Sequence, residues 1–324
     1  MGSCNSSFPF CLSEKLNQWL FQRPQIMEII LLLFFSVIMI VNLSLNVLVV
    51  LAVTRSKQKQ PPINYLFLNL ALSDMLVATS LIPQYIIRPV FTLPDGWAGT
   101  LFCKLFVGGF TMWVAGCAST TIYVVIALER FYATRLGKRA RKLQGRKLKM
   151  AIALVWIYAV LTEIPPFCVM TYDESRKSCF ENWPNQLHGK IYTVFTFLVD
   201  FTIPLIFMAA LYTKTIKVLW VNSKRSNTSL SAVKTRKRVT KIAVIVTVLH
   251  ALCWFPDVTS YLLAYHVPGL LEYGSIEQHA CVIPVAVGTC LNPIVYSFQS
   301  QRFRSQLANM IGCCRLRKKK VFVK

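Results

Sequence analysis

Acidic residues are scarce in this chain: 13 Asp and Glu stand against 36 Lys and Arg in 324 residues, a formal net charge of +23. A surplus of that size raises the question of nucleic acid, but the placement of the charge, described below, argues against it. Other things are missing too. No internal repeat is evident, which argues against a transporter built from inverted repeats. No nucleophile–base constellation and no metal-ligand spacing appears, so nothing points to an enzyme. No basic n-region leads into a small-residue cleavage site, so no signal peptide is expected. No loop on the basic side has room for a catalytic domain; the longest, from about Val221 to Thr235, is rich in Ser and Thr.

What is present is apolar sequence in long runs. Hydrophobic residues make up 55% of the chain and the mean hydropathy is +0.50, above the roughly 45–50% apolar content of a soluble domain. Seven segments stand out, at about 28–53, 63–88, 100–133, 147–170, 189–220, 236–265 and 278–299. The third holds no charge from Leu105 to Leu128. Such a stretch makes a helix of roughly 36 Å, enough to cross a bilayer with some tilt. Its Gly108, Gly109, Gly116, Cys117, Ser119, Thr120 and Thr121 are small or weakly polar, the type that lets membrane helices approach closely. This helix is therefore expected among the others, not against lipid. Between the spans, 29 of the 36 basic residues fall on one side and 11 of the 13 acids in the opposite half, Asp74 and Glu129 excepted. The positive-inside rule then puts the N-terminus outside and the C-terminus in the cytoplasm. The expected class is an all-α membrane protein, a seven-helix bundle with no nucleic acid among its partners.

The expected organisation is an extracellular N-terminus over 1–27, the bundle over 28–299, an amphipathic helix over 300–312 and a basic tail over 313–324. Asn5-Ser6-Ser7 is a glycosylation sequon if that end is outside. The amphipathic stretch matches a helix lying on the inner leaflet. Cys313 and Cys314, beside Arg315, Arg317 and Lys318 to Lys320, suggest palmitoylation and attraction to anionic membrane lipids; two unmodified thiols are the plainer reading.

Ionisable groups inside spans are costly and default to functional hypotheses. Asp74 lies mid-span, with Asn46, Ser119 and Asn292 placed to converge on it; such a set holds a small cation or a proton, and a protonated Asp with no ion explains the pattern equally well. Glu129 and Arg130 sit at the inner end of the third span, side chains about 100° apart, which leaves Arg130 partly free to change partner. Pro83, Pro204, Pro256 and Pro293 permit kinks. Trp254 lies beside the Pro256 kink, and Asn292 and Tyr296 flank Pro293. Hinges that coincide with polar groups suggest a protein that switches, though a fixed bend would leave the same pattern. On the outer side Cys103 and Cys179 are candidates for a disulfide, and Cys11 with Cys281 for a second.

Together these residues resemble the rhodopsin-like (class A) family of G-protein-coupled receptors. The markers come in the right order in every span: Asn46; Leu70 to Asp74; Cys103; Glu129-Arg130-Phe131; Trp156; Cys179; Pro204 with Tyr212; Cys253 to Pro256; and Asn292-Pro293-Ile294-Val295-Tyr296. The resemblance covers about residues 28–314. It implies that Asp74, Ser119 and Asn292 match a sodium site, sodium being the one expected ion and no other cofactor being implied. Trp254 matches the rotamer-sensitive residue under the ligand. Arg130, Tyr212 and Tyr296 match a switch that opens a cleft for a heterotrimeric G protein when the sixth helix swings about Pro256. Phe131, Leu45, Gly288, His250 and Arg236 depart from the family pattern. Arrestin, if it binds through phosphorylation, is expected at Ser223, Ser226, Thr228, Ser229 or Ser231.

For the ligand, Met112 stands where the family's amine receptors carry an aspartate, and Ala286 where its opsins carry the retinal lysine. The pocket looks acidic instead. Asp200 and Asp257 are expected to contact ligand, with Gln84, Met112, Trp113, Tyr261, Tyr265 and Gln278 around them and Glu163, Asp95, Asp173, Glu174, Glu181, Glu272 and Glu277 adding charge near the mouth. Lys237 to Lys241 also resembles neuropeptide receptors of the somatostatin, galanin and allatostatin type. The expected ligand is therefore a short, basic neuropeptide, amidated or not, at the plasma membrane. The alternative is a receptor for a small cation such as an atypical biogenic amine, and more remotely a transporter or channel.

Overall fold

The computed structural model of the chain describes residues 24–55, 61–87, 91, 93–135, 145–221, 230–271 and 276–299. The amphipathic stretch 300–312, Cys313 and Cys314, Asn5, Cys4, Cys11, Glu272 and Ser223 to Ser229 lie outside the described residues. Seven long helical segments run through the described part: α1 Pro24–Thr54, α2 Pro62–Ile87, α3 Trp97–Arg135, α4 Arg146–Val169, α5 Gln186–Trp220, α6 Leu230–His266 and α7 Ile276–Gln299. Six are long and apolar enough to cross a membrane, and α7 holds a shorter apolar run, Ala280–Val295. All seven expected spans are present within a few residues of their expected bounds.

Prolines and glycines shape these helices. Pro204 has no N–H to offer the preceding turn, and α5 widens ahead of it into a π turn, Thr196–Thr202. Thr202 Oγ1 donates to the carbonyl of Phe197 at 2.8 Å. The widened turn buries both Asp200 and Phe201. Pro83 opens a similar turn, Pro83–Ile87, where Tyr85 stacks on Phe35 of α1 with ring centroids 4.0 Å apart. In α3 a third π turn, Cys103–Val107, ends at Gly108, and Gly109 takes φ +75° before the helix restarts at Phe110.

As its small residues imply, α3 is central: from Phe110 on it packs against α2, α4, α5 and α6. Its buried face runs from Met112 through Ala115, Ala118, Ile122 and Ile126 to Arg130. Apolar contact between helices gains little over contact with lipid, so packing and interhelical hydrogen bonds carry the association. Asn46 Nδ2 donates to the Thr289 carbonyl at 3.2 Å. Trp156 Nε1 donates to Asn69 Oδ1 at 3.3 Å. Ser80 and Thr111 bond at 2.7 Å. On α4, Met150, Leu154, Ile157, Val160, Leu161 and Ile164 are exposed at helical spacing, the stripe expected to face lipid.

Between α4 and α5 the chain forms an antiparallel hairpin, β1 Met170–Asp173 and β2 Ser178–Glu181, with Tyr172 opposite Cys179. The Cys103–Cys179 disulfide ties it to α3, Cα atoms 5.5 Å apart. Lys177 pairs with Asp95, Glu174 accepts the Gly96 N–H at 2.8 Å, and Asp173 Oδ1 accepts the N–H groups of Ser175 and Arg176 at 2.8 and 3.2 Å. Asp95, Asp173 and Glu174, expected as charge around a ligand mouth, therefore each use at least one oxygen to fasten this hairpin. Hydrogen bonds from Ser175 and then from Arg176 lower the Asp173 pKa from 3.8, and the Asp95 carboxylate raises that of Lys177 from 10.5. A lowered acid stabilises above its unfolded pKa and a raised base below its own. The melting difference between wild type and Lys177→Met is therefore expected to shrink as the pH rises through the raised Lys177 pKa and to stay flat in the window from neutral pH to about pH 9. A difference that changed within it would assign the anchoring to other groups.

Candidate functional site

The hairpin brings Glu181 over the end of α6. Its carboxylate accepts from Tyr261 at 3.0 Å, from Tyr265 and from Trp183 Nε1 at 2.8 Å. Trp183 also donates to the Tyr265 hydroxyl at 3.0 Å. One acid thus holds two tyrosines of α6 to the loop that the disulfide holds to α3. Hydrogen bonds to a charged acceptor contribute about 1.5–3 kcal/mol, and donors left without it lose the same order. Glu181→Ala is expected to lower the melting temperature by several degrees, and Glu181→Gln, which keeps one acceptor, by less. Equal melting of Glu181→Ala and wild type would remove the clasp.

Below the clasp lies a narrow cleft whose walls include Trp113, Glu163, Glu181, Tyr192 and Tyr261. Lys104 also lines it, but its ammonium donates to the carbonyls of Cys168 at 2.7 Å and Phe167 at 3.0 Å. Further along α3 a second small cavity is bounded by Trp113, Cys117, Glu163, Asp200 and Trp254. Trp113, Glu163 and Thr196 stand in both walls. Tyr192 donates to Glu163 Oε2 at 3.2 Å, and Tyr158 donates to Asp200 Oδ1 at 2.6 Å. Both bonds join α4 to α5.

Of the residues expected at the ligand, Trp113, Tyr261 and Asp200 line these cavities. Met112 does not: one position along the helix turns its side chain by about 100°, and it packs with Phe35, Tyr85 and Ala286 in the core. Asp257, 2% exposed, lines neither cavity, and its Oδ2 has no partner among the described residues. Gln84 sits half-buried in the Pro83 turn and lines neither. Tyr265 is held by Glu181 rather than lining either cavity. The side chain of Gln278 lies outside the described residues, as does that of Tyr296. Glu163 and Glu181 were legible only as acids near the mouth. The signal for Glu181 is its place two residues after Cys179, a cysteine tied to the top of α3.

At the far end of α3, Arg130, 8% exposed, folds back onto Glu129 in an ion pair, instead of reaching another helix as its position allowed. Tyr212 of α5 and Thr247 of α6 bond at 3.1 Å. Between the two ends the polar groups form a relay. Tyr123 donates to Asn292 Oδ1 at 3.0 Å, and Asn292 Nδ2 donates to Asp74 Oδ2 at 2.8 Å. Asn292 therefore offers Asp74 an N–H, not an oxygen, while Asp74 and Ser119 remain buried oxygen donors. A Cβ added at Gly288 would stand 2.7 Å from Cys253 Cβ, so α6 and α7 touch where the family often places an asparagine. His250 Nε2 meets Thr120 Oγ1 at 2.9 Å and its ring lies 5.7 Å from that of Trp254. Pro256 lies inside α6 and Pro293 inside α7.

Seven spans, a disulfide-anchored hairpin over a cleft, and a buried arginine at the opposite pole define a membrane receptor. The model of the 7 transmembrane receptor (rhodopsin family) matches residues 45–296, and the chain belongs to that family; it is a multi-pass membrane protein of the G-protein-coupled receptor class. Neuropeptide Y receptor type 6 of Oryctolagus cuniculus is 27% identical over 314 residues, covering 90% of this chain and 83% of the relative. The QRFP-like peptide receptor of Branchiostoma floridae is 27% identical, covering 87% and 77%. Galanin receptor 2a of Danio rerio is 27% identical, covering 88% and 79%. The crystal structure of squid rhodopsin superposes with a TM-score of 0.74 at 21% identity, over 89% of this chain and 86% of that one, a likeness of fold.

Proposed function

We propose that the chain is a plasma-membrane receptor for a short, basic, amidated neuropeptide, with the hairpin end and N-terminus outside and the Arg130 end in the cytoplasm. The observation that carries this is the cleft: Glu163 and Glu181 face it beside Trp113, Tyr192 and Tyr261, and its single lysine is already bonded to backbone. Glu163 is buried; a buried carboxylate is stabilised by a counter-charge, and a basic peptide supplies one among aromatic walls suited to cations. That three relatives are named as receptors for neuropeptide Y, QRFP-like peptide and galanin supports a peptide.

Binding acts by shifting an equilibrium that exists without ligand. A peptide that competes for Glu181 frees the hairpin end of α6. Pressure on Trp254 is passed to the Pro256 kink. The sixth helix then moves outward, the Tyr212–Thr247 bond breaks, and Arg130 leaves Glu129 for the G protein. Asp74 with Ser119 supplies the charge and an oxygen for a sodium ion that modulates this balance; an agonist affinity indifferent to replacing sodium by a bulky organic cation would remove that part. Arrestin at the Ser and Thr of the loop before α6, glycan at Asn5 and acylation at Cys313 and Cys314 complete the reading.

The test is a screen of short amidated peptides, with biogenic amines alongside, read as G-protein activation in cells expressing the chain. Basic peptide hits are expected. Amine hits without peptide hits would replace the peptide by a small cation, the second reading that the depth of Asp200 favours.

A further inference from the structure

We infer that Asp200 and Glu163 form a deep cation subsite on the α4–α5 side of the bundle, filled by one guanidinium or ammonium group of the ligand inserted beneath Trp113. The assignment rests on reading the cleft as the ligand cavity. Four observations carry it. Asp200 is 8% exposed and lines the deeper cavity. Its Oδ1 is engaged, accepting from Tyr158 at 2.6 Å and from Cys117 Sγ at 3.8 Å. Its Oδ2 has no hydrogen-bond partner among the described residues. Among the described residues no Lys, Arg or His lines that cavity, and Lys104 in the adjoining one is held by two carbonyls.

The chain thus supplies neutral donors to one oxygen and leaves the other, in the wall of the cavity, without a partner among the described residues. A carboxylate in such a place is stabilised by a cation that brings its own N–H groups. Glu163 stands in the walls of both cavities, so a cation passing from the cleft to Asp200 has a second acid on its route. Two indoles, Trp113 and Trp254, also line the space, and an indole face is the strongest of the aromatic surfaces for a cation. The deeper cavity is narrow and shares Trp113, Glu163 and Thr196 with the cleft, so a cation reaching Asp200 has to displace the Trp113 or Trp254 ring, with the rest of a peptide in the cleft above. Trp254 belongs to α6 and lies against Gly116 of α3. A cation at Asp200 therefore touches the ring that the proposed switch must move, and potency should depend on this one charge more than on charges at the mouth.

The experiment uses the purified full-length receptor and small probes: Nα-acetyl-arginine amide, its lysine counterpart, the uncharged citrulline counterpart, and phenethylamine as a non-peptide cation. The readout is saturable thermal stabilisation with the accompanying change in tryptophan fluorescence. Arginine or lysine amide is expected to stabilise and citrulline amide not to. Asp200→Asn should weaken the charged probe at least tenfold and Glu163→Gln several-fold. Tyr158→Phe, which removes a donor but keeps the carboxylate, should retain binding. Phenethylamine binding with the same Asp200 dependence supports the subsite and assigns its source to a small amine; binding by the amino-acid amides assigns it to a peptide side chain. Equal responses to arginine and citrulline amides, unchanged affinity in Asp200→Asn, or no saturable response to any cation would overturn the assignment. If Asp200→Asn does not fold, the arginine–citrulline comparison on wild type decides alone. Peptide hits in the activation screen that tolerate citrulline at every basic position would keep the peptide reading and overturn this one. A probe response without peptide hits would do the reverse.

Discussion

Gly116→Ala is expected to raise ligand-independent G-protein activation and to lower the melting temperature. A Cβ at this position would stand 2.2 Å from Cη2 and 2.6 Å from Cζ3 of Trp254, distances that no packed pair of carbons keeps. The indole cannot simply slide. It is 5% exposed and has the Trp113 ring 6.1 Å away on one side and the His250 ring 5.7 Å away on another. Overpacking of this kind costs about 1–3 kcal/mol. That cost falls on the arrangement in which Arg130 stays with Glu129, because in that arrangement the ring lies on Gly116. Any state that moves Trp254 away escapes it and gains population. At 1–3 kcal/mol the equilibrium shifts by roughly five- to 150-fold, so basal signalling should rise several-fold at equal surface expression. Gly116→Val should exceed alanine. Wild-type basal signalling and melting in both variants would show that the indole moves without consequence for α6.

Cys103→Ser or Cys179→Ser should remove most receptor from the cell surface, and what remains should bind agonist more than tenfold less tightly. The bridge spans 76 residues, and by chain entropy a closed loop of that size contributes about 4 kcal/mol. The same bond positions function. Cys179 lies on β2, and two residues on, Glu181 holds Tyr261 and Tyr265 of α6. Losing the bridge therefore loosens both the hairpin and the clasp. Since each single variant already breaks the one bond, the double variant should be no worse than either; the failure to add is the signature of a shared interaction. Normal surface levels and affinity in the single variants would show that the hairpin is held by its polar anchors alone, Lys177 with Asp95 and Glu174 with Gly96.

Much of this was legible in the chain itself. Hydropathy runs and the sidedness of Lys and Arg identified seven spans, and the observed helices keep those bounds within a few residues. The small residues of the third span put it in the centre, where α3 lies. Cys103 and Cys179 were candidates for the bridge the structure contains. The candidate site was legible only in part. Asp200 was identified beside Pro204, and it lines a cavity because the proline widens the turn before it. Met112 and Trp113 are neighbours, and only helix phase decided that the indole takes the cleft and the methionine the core. Asp257 follows Pro256 as Asp200 precedes Pro204, yet it lines neither cavity. Glu163 and Glu181 looked like peripheral acids, although both line the cleft.

What the sequence determined by itself is what depends on runs and on position along one axis: number of spans, bundle class, which segments prolines interrupt, and the pole at which each charge lies. Those properties follow from transfer of side chains between water and lipid and from missing proline N–H groups, both of which act locally. Only the tertiary structure decided which acids already have partners. The Glu181 clasp joins residues 80 and 84 positions apart. The Asn292–Asp74 bond spans 218 positions. The contact of Gly116 with Trp254 joins two helices. Each depends on the rotation of one helix against another, a quantity no single run of residues encodes, and that rotation left one oxygen of Asp200 bonded to Tyr158 and the other without a partner among the described residues.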